Sequence, residues 1–161
     1  MSDKKMGGKL IGVGLLVVAL VAGAALYYLQ VYAFYDEIEL DTEVIQLTSI
    51  VSGEPEEIIA DGFEGIDSDS SPIRFRGCFT TPMSQSLLTE TYVSYDKAVP
   101  LIGPGWFSCF DAKSIGADLE AGVALPFLSQ ADVSNGVDRV VAIYPDGRAF
   151  IWHQLNDKFA E

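Results

Sequence analysis

Leu10 to Leu29 reads LIGVGLLVVALVAGAALYYL, twenty consecutive positions without a charge. At 1.5 Å rise per residue such a helix reaches about 30 Å, the thickness of a bilayer hydrocarbon core. Tyr27, Tyr28, Tyr32, Phe34 and Tyr35 crowd its far end, as aromatic side chains do at a lipid–water boundary. The run stops at Asp36 and Glu37, while Lys4, Lys5 and Lys9 lie before it. The positive-inside bias therefore places the N-terminus in the cytoplasm and the remainder outside. A cleaved signal peptide is the rival reading, with Ala22-Gly23-Ala24 as the cleavage box. Apolar and aromatic residues continue past that box to Tyr35, which favours an uncleaved anchor. The expected organisation is a cytoplasmic tail over 1–9, a transmembrane anchor over 10–35 and a non-cytoplasmic acidic domain over 36–161.

Charge is divided unevenly along the chain. Three of the ten basic residues and one of the 23 acidic ones precede Leu10, so the rest carries seven against 22, a formal −15. Such a surface repels nucleic acid and anionic headgroups, and suits a basic protein or cations. Solubility alone is an equally simple reason for it.

Beyond the anchor the pattern predicts an α+β domain built on an antiparallel sheet. A first strand is expected near Val44–Thr48, then a loop through VSGEPEE. A short strand at Ile58 and Ile59 follows, then a loop from Gly62 to Pro72, whose glycines, serines and acids break periodicity. IRFRGCF, Ile73 to Phe79, alternates as a strand, with Arg74 and Arg76 on one face and expected to pair with the domain's own carboxylates. Thr81-Pro82 suggests a helix start, with MSQSLLTET as the helix body. Pro100, Gly103, Pro104 and Gly105 exclude regular structure around Trp106, Phe107 and Phe110, aromatics expected to close the core. Asp111 caps a helix through DAKSIGADLEAG, with Ile115 and Leu119 on one face and Gly122 beyond its end. Asp138–Tyr144, PDG and Arg148–Leu155 read as strand, turn and strand. Val140, Ala142 and Tyr144 take one side of it, Val141 and Ile143 the other.

Residues able to do chemistry are few. Cys78 and Cys109 are the only cysteines, and in an oxidising compartment they predict a disulfide. A copper site on both thiolates with Met83 or His153 is the sharper alternative. His153 is the only histidine and lies in a strand pattern, which suits a structural role better than that of a base. Asp67-Ser68-Asp69-Ser70 has the acids of a calcium loop without its glycine and terminal glutamate. No nucleophile elbow or phosphate-binding glycine motif occurs. The expectation is therefore a protein that is not an enzyme, with no catalytic, cofactor-binding or metal residues and no cofactor. Gly8 and Gly12, with Ala19 and Gly23, give small-xxx-small spacing suited to packing against another membrane helix.

The stretches LLVVALVAGAALYYLQVYAFY, GIDSDSSPIRFRGCFTT, TETYVSYDKAVPLIGPGWFSCFDA and DRVVAIYPDGRAFIWHQLN together resemble a family of uncharacterised single-pass proteins of alphaproteobacteria. The resemblance spans nearly the whole chain. It implies a bacterial inner-membrane protein with a periplasmic domain, and assigns no catalytic or ligand residue.

Two function classes follow. The first is a non-catalytic accessory subunit or assembly partner of an inner-membrane complex, bound through the anchor helix. A respiratory complex is one candidate, and a basic cytochrome c is a soluble partner that the charge would suit. The second is a periplasmic ligand-binding or sensing domain whose pocket the Pro100–Trp106 stretch would line.

Overall fold

A computed structural model describes residues 2–38 and 44–158, without the side chains of residues 2–6. The chain divides into two compact units, Met1–Tyr35 and Asp36–Glu161.

The first unit is one helix, α1 (Ser2–Val31). Its Gly7–Val31 portion is long and apolar enough to cross a membrane, and none of it is buried within the chain. Space is open where a Cβ would stand at Gly8, Gly12 and Gly23, so the small-residue positions carry no neighbour of their own.

The second unit is α+β. Six antiparallel strands form one sheet in the order β1-β4-β5-β8-β7-β6. They are β1 (Asp36–Ile38), β4 (Asp61–Asp67), β5 (Arg76–Thr80), β6 (Leu125–Ser134), β7 (Val137–Ile143) and β8 (Arg148–Leu155). A separate hairpin pairs β2 (Gln46–Thr48) with β3 (Pro55–Glu57). Two short helices, α2 (Gln85–Thr91) and α3 (Ala112–Glu120), accompany them among the described residues.

Both faces of the sheet are covered, which explains why β7 reads as a nearly continuous apolar run. One face carries Phe63, Phe75, Phe79, Phe127, Val141, Ile143 and Ile151, packed under Ile45, Leu47 of β2 and Leu88 of α2. The other carries Val140, Ala142, Tyr144 and Trp152 beneath Phe110 and, in α3, Ile115. The alternation expected for Val140, Ala142 and Tyr144 against Val141 and Ile143 is the observed one. At the β7–β8 turn Gly147 has φ +88°, and a Cβ there would lie 2.5 Å from the Thr81 carbonyl oxygen. Only glycine fits that position.

Elsewhere the fold corrects the sequence reading. The Gly62–Pro72 loop is largely strand, since β4 occupies Asp61–Asp67. Gly65 serves packing: a Cβ on it would meet the Phe63 ring at 2.5 Å, and one on Gly77 of β5 would meet the same ring at 2.6 Å. The ring needs two glycines on neighbouring strands, reached through a bulge between Asp61 and Glu64. Part of VSGEPEE is β3, and Ile58 and Ile59 lie outside any strand. The helix cap is Ser84 rather than Thr81, its side chain accepting from Leu87 N. Thr81 is buried and fixes the preceding turn by accepting from Met83 N. α3 starts as expected, Asp111 accepting from the amides of Lys113 and Ser114, and Gly122 follows it with φ +70°.

Candidate functional site

The irregular stretch between α2 and α3 packs against the second face from Tyr95 onward and is tied to the sheet at four places. Residues 92–95 run beside β6 through Tyr95 N to Pro126 O, 3.0 Å, and Leu128 N to Val93 O, 2.9 Å. Gln154 on β8 holds the next turn: its Oε1 accepts from Val99 N at 2.8 Å and Trp152 Nε1 at 3.0 Å, and its Nε2 donates to Lys97 O at 2.9 Å. Arg76, buried in β5, donates to the carbonyls of Leu101, Ile73 and Phe75. Arg76, expected to pair with the domain's carboxylates, thus organises backbone. Finally, a disulfide joins Cys78 of β5 to Cys109.

Between this stretch and the end of the β7–β8 hairpin lies an open groove of about 750 Å³. Ile73, Val99, Leu101 and Leu155 give it apolar walls, and Tyr95, Asp138 and Gln154 a polar floor. Val99 is 59% exposed and Leu155 53%, while Ile102, next to the groove's Leu101, is 87% exposed. In the floor Asp138 is buried. Its Oδ2 accepts from the Tyr95 hydroxyl at 3.0 Å, and its Oδ1 from Asp132 N and Asn156 Nδ2, both at 2.9 Å. Burial, then the bond to Asp138, pushes the Tyr95 hydroxyl well above its ordinary pKa, so it stays a donor throughout the physiological range. At the rim, Lys97 pairs with Asp157 at 2.9 Å and Lys158 with Asp132 at 2.6 Å. The Lys158 and Asn156 bonds hold the Asp132 carboxyl below its usual range.

A second, smaller cavity of about 340 Å³ lies on the same side of the sheet, walled by β1, β4 and the Trp106–Cys109 turn. The Pro100–Trp106 stretch thus contributes Leu101 to the groove and Trp106 to this cavity. Of the three aromatics there and just beyond, Phe110 is buried, Phe107 packs against the same cluster, and Trp106 is half-buried.

A protein-family model described as a family of unknown function, DUF6446, matches residues 45–161. The chain belongs to this family. No curated protein and no solved structure matches it. The DUF6446 match begins within the second unit and contains every residue of the groove, both cysteines and the buried floor. Glu37 and Ile38 of the smaller cavity precede it.

His153 lines neither cavity. It is buried on the opposite face, stacked on Phe75 with ring centroids 4.6 Å apart. Its Nε2 accepts from Arg139 Nε at 3.0 Å, which requires the proton on Nδ1, and Nδ1 then donates to Pro72 O at 2.7 Å. Burial, followed by the Arg139 charge, pulls its pKa down to about 4. Both ring nitrogens of this neutral histidine are therefore engaged. The copper alternative is overturned in its stated form, because the Cys78 and Cys109 sulfurs are bonded to one another and offer no thiolates. In the Asp67–Ser70 stretch the Asp67 carboxylate accepts from Ser68 N and the two serine hydroxyls bond each other. Among the described residues no three metal-ligating side chains converge.

Proposed function

We propose that the protein is a non-catalytic accessory subunit or assembly partner of an inner-membrane complex. Its α1 helix is the anchor, with the N-terminus cytoplasmic and the acidic domain in the periplasm. The groove is the place where a partner segment docks. The observation that carries this reading is the groove's composition: exposed Val99, Leu155 and neighbouring Ile102 beside a floor whose polar groups already satisfy one another. Exposed apolar side chains around a satisfied polar floor suit contact with another chain better than they suit bond-making. The engaged state of His153 supports the same reading.

The disulfide supports an oxidising compartment for the domain. The open small-residue positions of α1 support packing against a partner helix. Because each rim lysine is already paired with an aspartate, the domain's formal excess of acid is not offset there. A basic partner is the match, and a respiratory complex that exchanges electrons with a basic cytochrome c is one candidate.

The test is gentle detergent extraction followed by identification of what co-purifies, for the natural chain and for a Val99→Asp/Leu155→Asp variant. The natural chain is expected to bring down integral membrane subunits, and the variant to lose them while keeping its disulfide. Recovery of the natural chain as a lone monomer in every mild detergent overturns the proposal. A periplasmic ligand-binding or sensing domain is the second reading, favoured by a groove volume within the range of about 300–1,000 Å³ usual for small ligands.

A further inference from the structure

The smaller cavity has a chemistry of its own. Register places Glu64 of β4 opposite Cys78 and Glu37 of β1 opposite Ile66. Side chains at directly paired positions, and at alternate positions along a strand, rise from the same side, so both carboxylates stand on the disulfide's side of the sheet. Both line the cavity, and neither takes part in an ion pair among the described residues. Facing them is the turn that ends at Cys109. Phe107 N donates to Pro104 O at 3.0 Å, and the rings of Trp106 and Phe107 stand at 72° with centroids 6.3 Å apart. The disulfide fixes that turn to β5, so two aromatic residues and two acids line one cavity on a tethered backbone.

Two aromatic walls at a steep angle, with negative charge nearby, are what a methylated ammonium ion requires. Its charge is spread over a methylated surface that cannot donate strong hydrogen bonds and is weakly hydrated. It therefore gains from ring faces, which a hydrated metal ion does not readily exploit. A metal would also need converging ligands, and no such group occurs among the described residues. The volume, about 340 Å³, is at the low end of ligand pockets and suits a small headgroup. We propose that the cavity walled by Trp106, Phe107, Glu37 and Glu64 binds a quaternary ammonium group, either free or as a lipid headgroup. This inference is independent of the groove and of the partner reading.

Calorimetric titration of the full chain in a maltoside detergent tests it, with choline as the probe. 3,3-Dimethyl-1-butanol, which has the same shape without the charge, is the control. Choline is expected to bind saturably and the neutral alcohol roughly tenfold more weakly. Trp106→Leu keeps apolar bulk and removes the indole face, and is expected to weaken choline by a similar factor. Glu37→Gln/Glu64→Gln, at two exposed strand positions, should weaken choline and leave the alcohol unchanged. A cooperative thermal unfolding transition like that of the natural chain shows that each variant has folded. Equal binding of choline and the alcohol overturns the proposal, as does unaltered choline affinity in both variants. If Trp106→Leu fails to fold, the glutamine pair and the alcohol control decide alone. Glycerophosphocholine separates the two sources: binding as tight as that of choline points to a lipid headgroup, and binding of choline alone points to a free ammonium compound.

Discussion

The two faces of the sheet are covered in different ways. On the first, a hairpin and a helix lay regular elements over Phe75, Phe127 and Ile151, and cohesion comes from apolar packing. On the second, much of the cover is an irregular stretch with few regular hydrogen bonds of its own. It is held from below by Gln154, Arg76 and the Cys78–Cys109 bond. Both cavities lie on this second side. A regular layer fills the space it covers, whereas a stretch attached at separate points arches between them and leaves concavities. Recognition chemistry is therefore expected where the cover is attached, and stability chemistry where it is packed.

The largest expected effect strikes the second face. Replacing both cysteines with serine should cost about 3–4 kcal/mol for a 31-residue separation in the chain-entropy account, measured by denaturant unfolding. Amide exchange sharpens the result: residues 97–110 should lose protection well before β2 and α2 do. Equal loss on both sides would break the comparison and make the faces one cooperative unit.

The next effect belongs to the first face. His153 is held near pKa 4 when folded against about 6.5 when unfolded, so the unfolded chain binds the extra proton between those values. Stability should be full above pH 6.5 and fall as pH drops toward 4, by up to about 3 kcal/mol. His153→Gln should lose that slope while keeping any contribution from carboxylates, as read from unfolding midpoints across the same range. An unchanged slope in the variant would remove the histidine from the account.

A smaller loss, about 1–3 kcal/mol, is expected for Gly77→Ala, because the new methyl collides with the Phe63 ring and with Ile151 at 2.9 Å. Thermal unfolding checks it, and a neutral result would mean that the first face is looser than its packing implies. Smallest of all, Lys97→Ala should stay within about 0.5 kcal/mol, since its partner Asp157 is as exposed as it is. A large loss there would make the groove rim structural.

What could be read from the chain was local. The β7–β8 hairpin, α3 with its Asp111 cap and the cysteine pair all follow from neighbouring residues or from there being only two thiols. β4 was hidden because Gly62 and Gly65 look like loop residues, whereas Gly62 takes φ +63° in the bulged part of the strand and Gly65 leaves the space that the Phe63 ring needs. β6 gave no clean alternation: it contains Pro126, two register shifts and Asp132 at φ +50°. The groove floor was illegible for a different reason. Tyr95 and Asp138 are 43 positions apart, and Gln154 meets Lys97 across 57. Asp, Tyr and Gln are ordinary residues in an acidic domain until folding brings them together.

Gln154 uses one side-chain amide where another protein would use a strand. It fixes one foot of the 99–109 arch, Arg76 props the span at Leu101, and Cys109 fixes the other foot. None of these fixings imposes a register. The crown of the arch, 102–106, ahead of core-packed Phe107, is therefore free to lengthen, shorten or change its side chains without shifting a single sheet pairing, so a recipient surface can be respecified on an unaltered foundation.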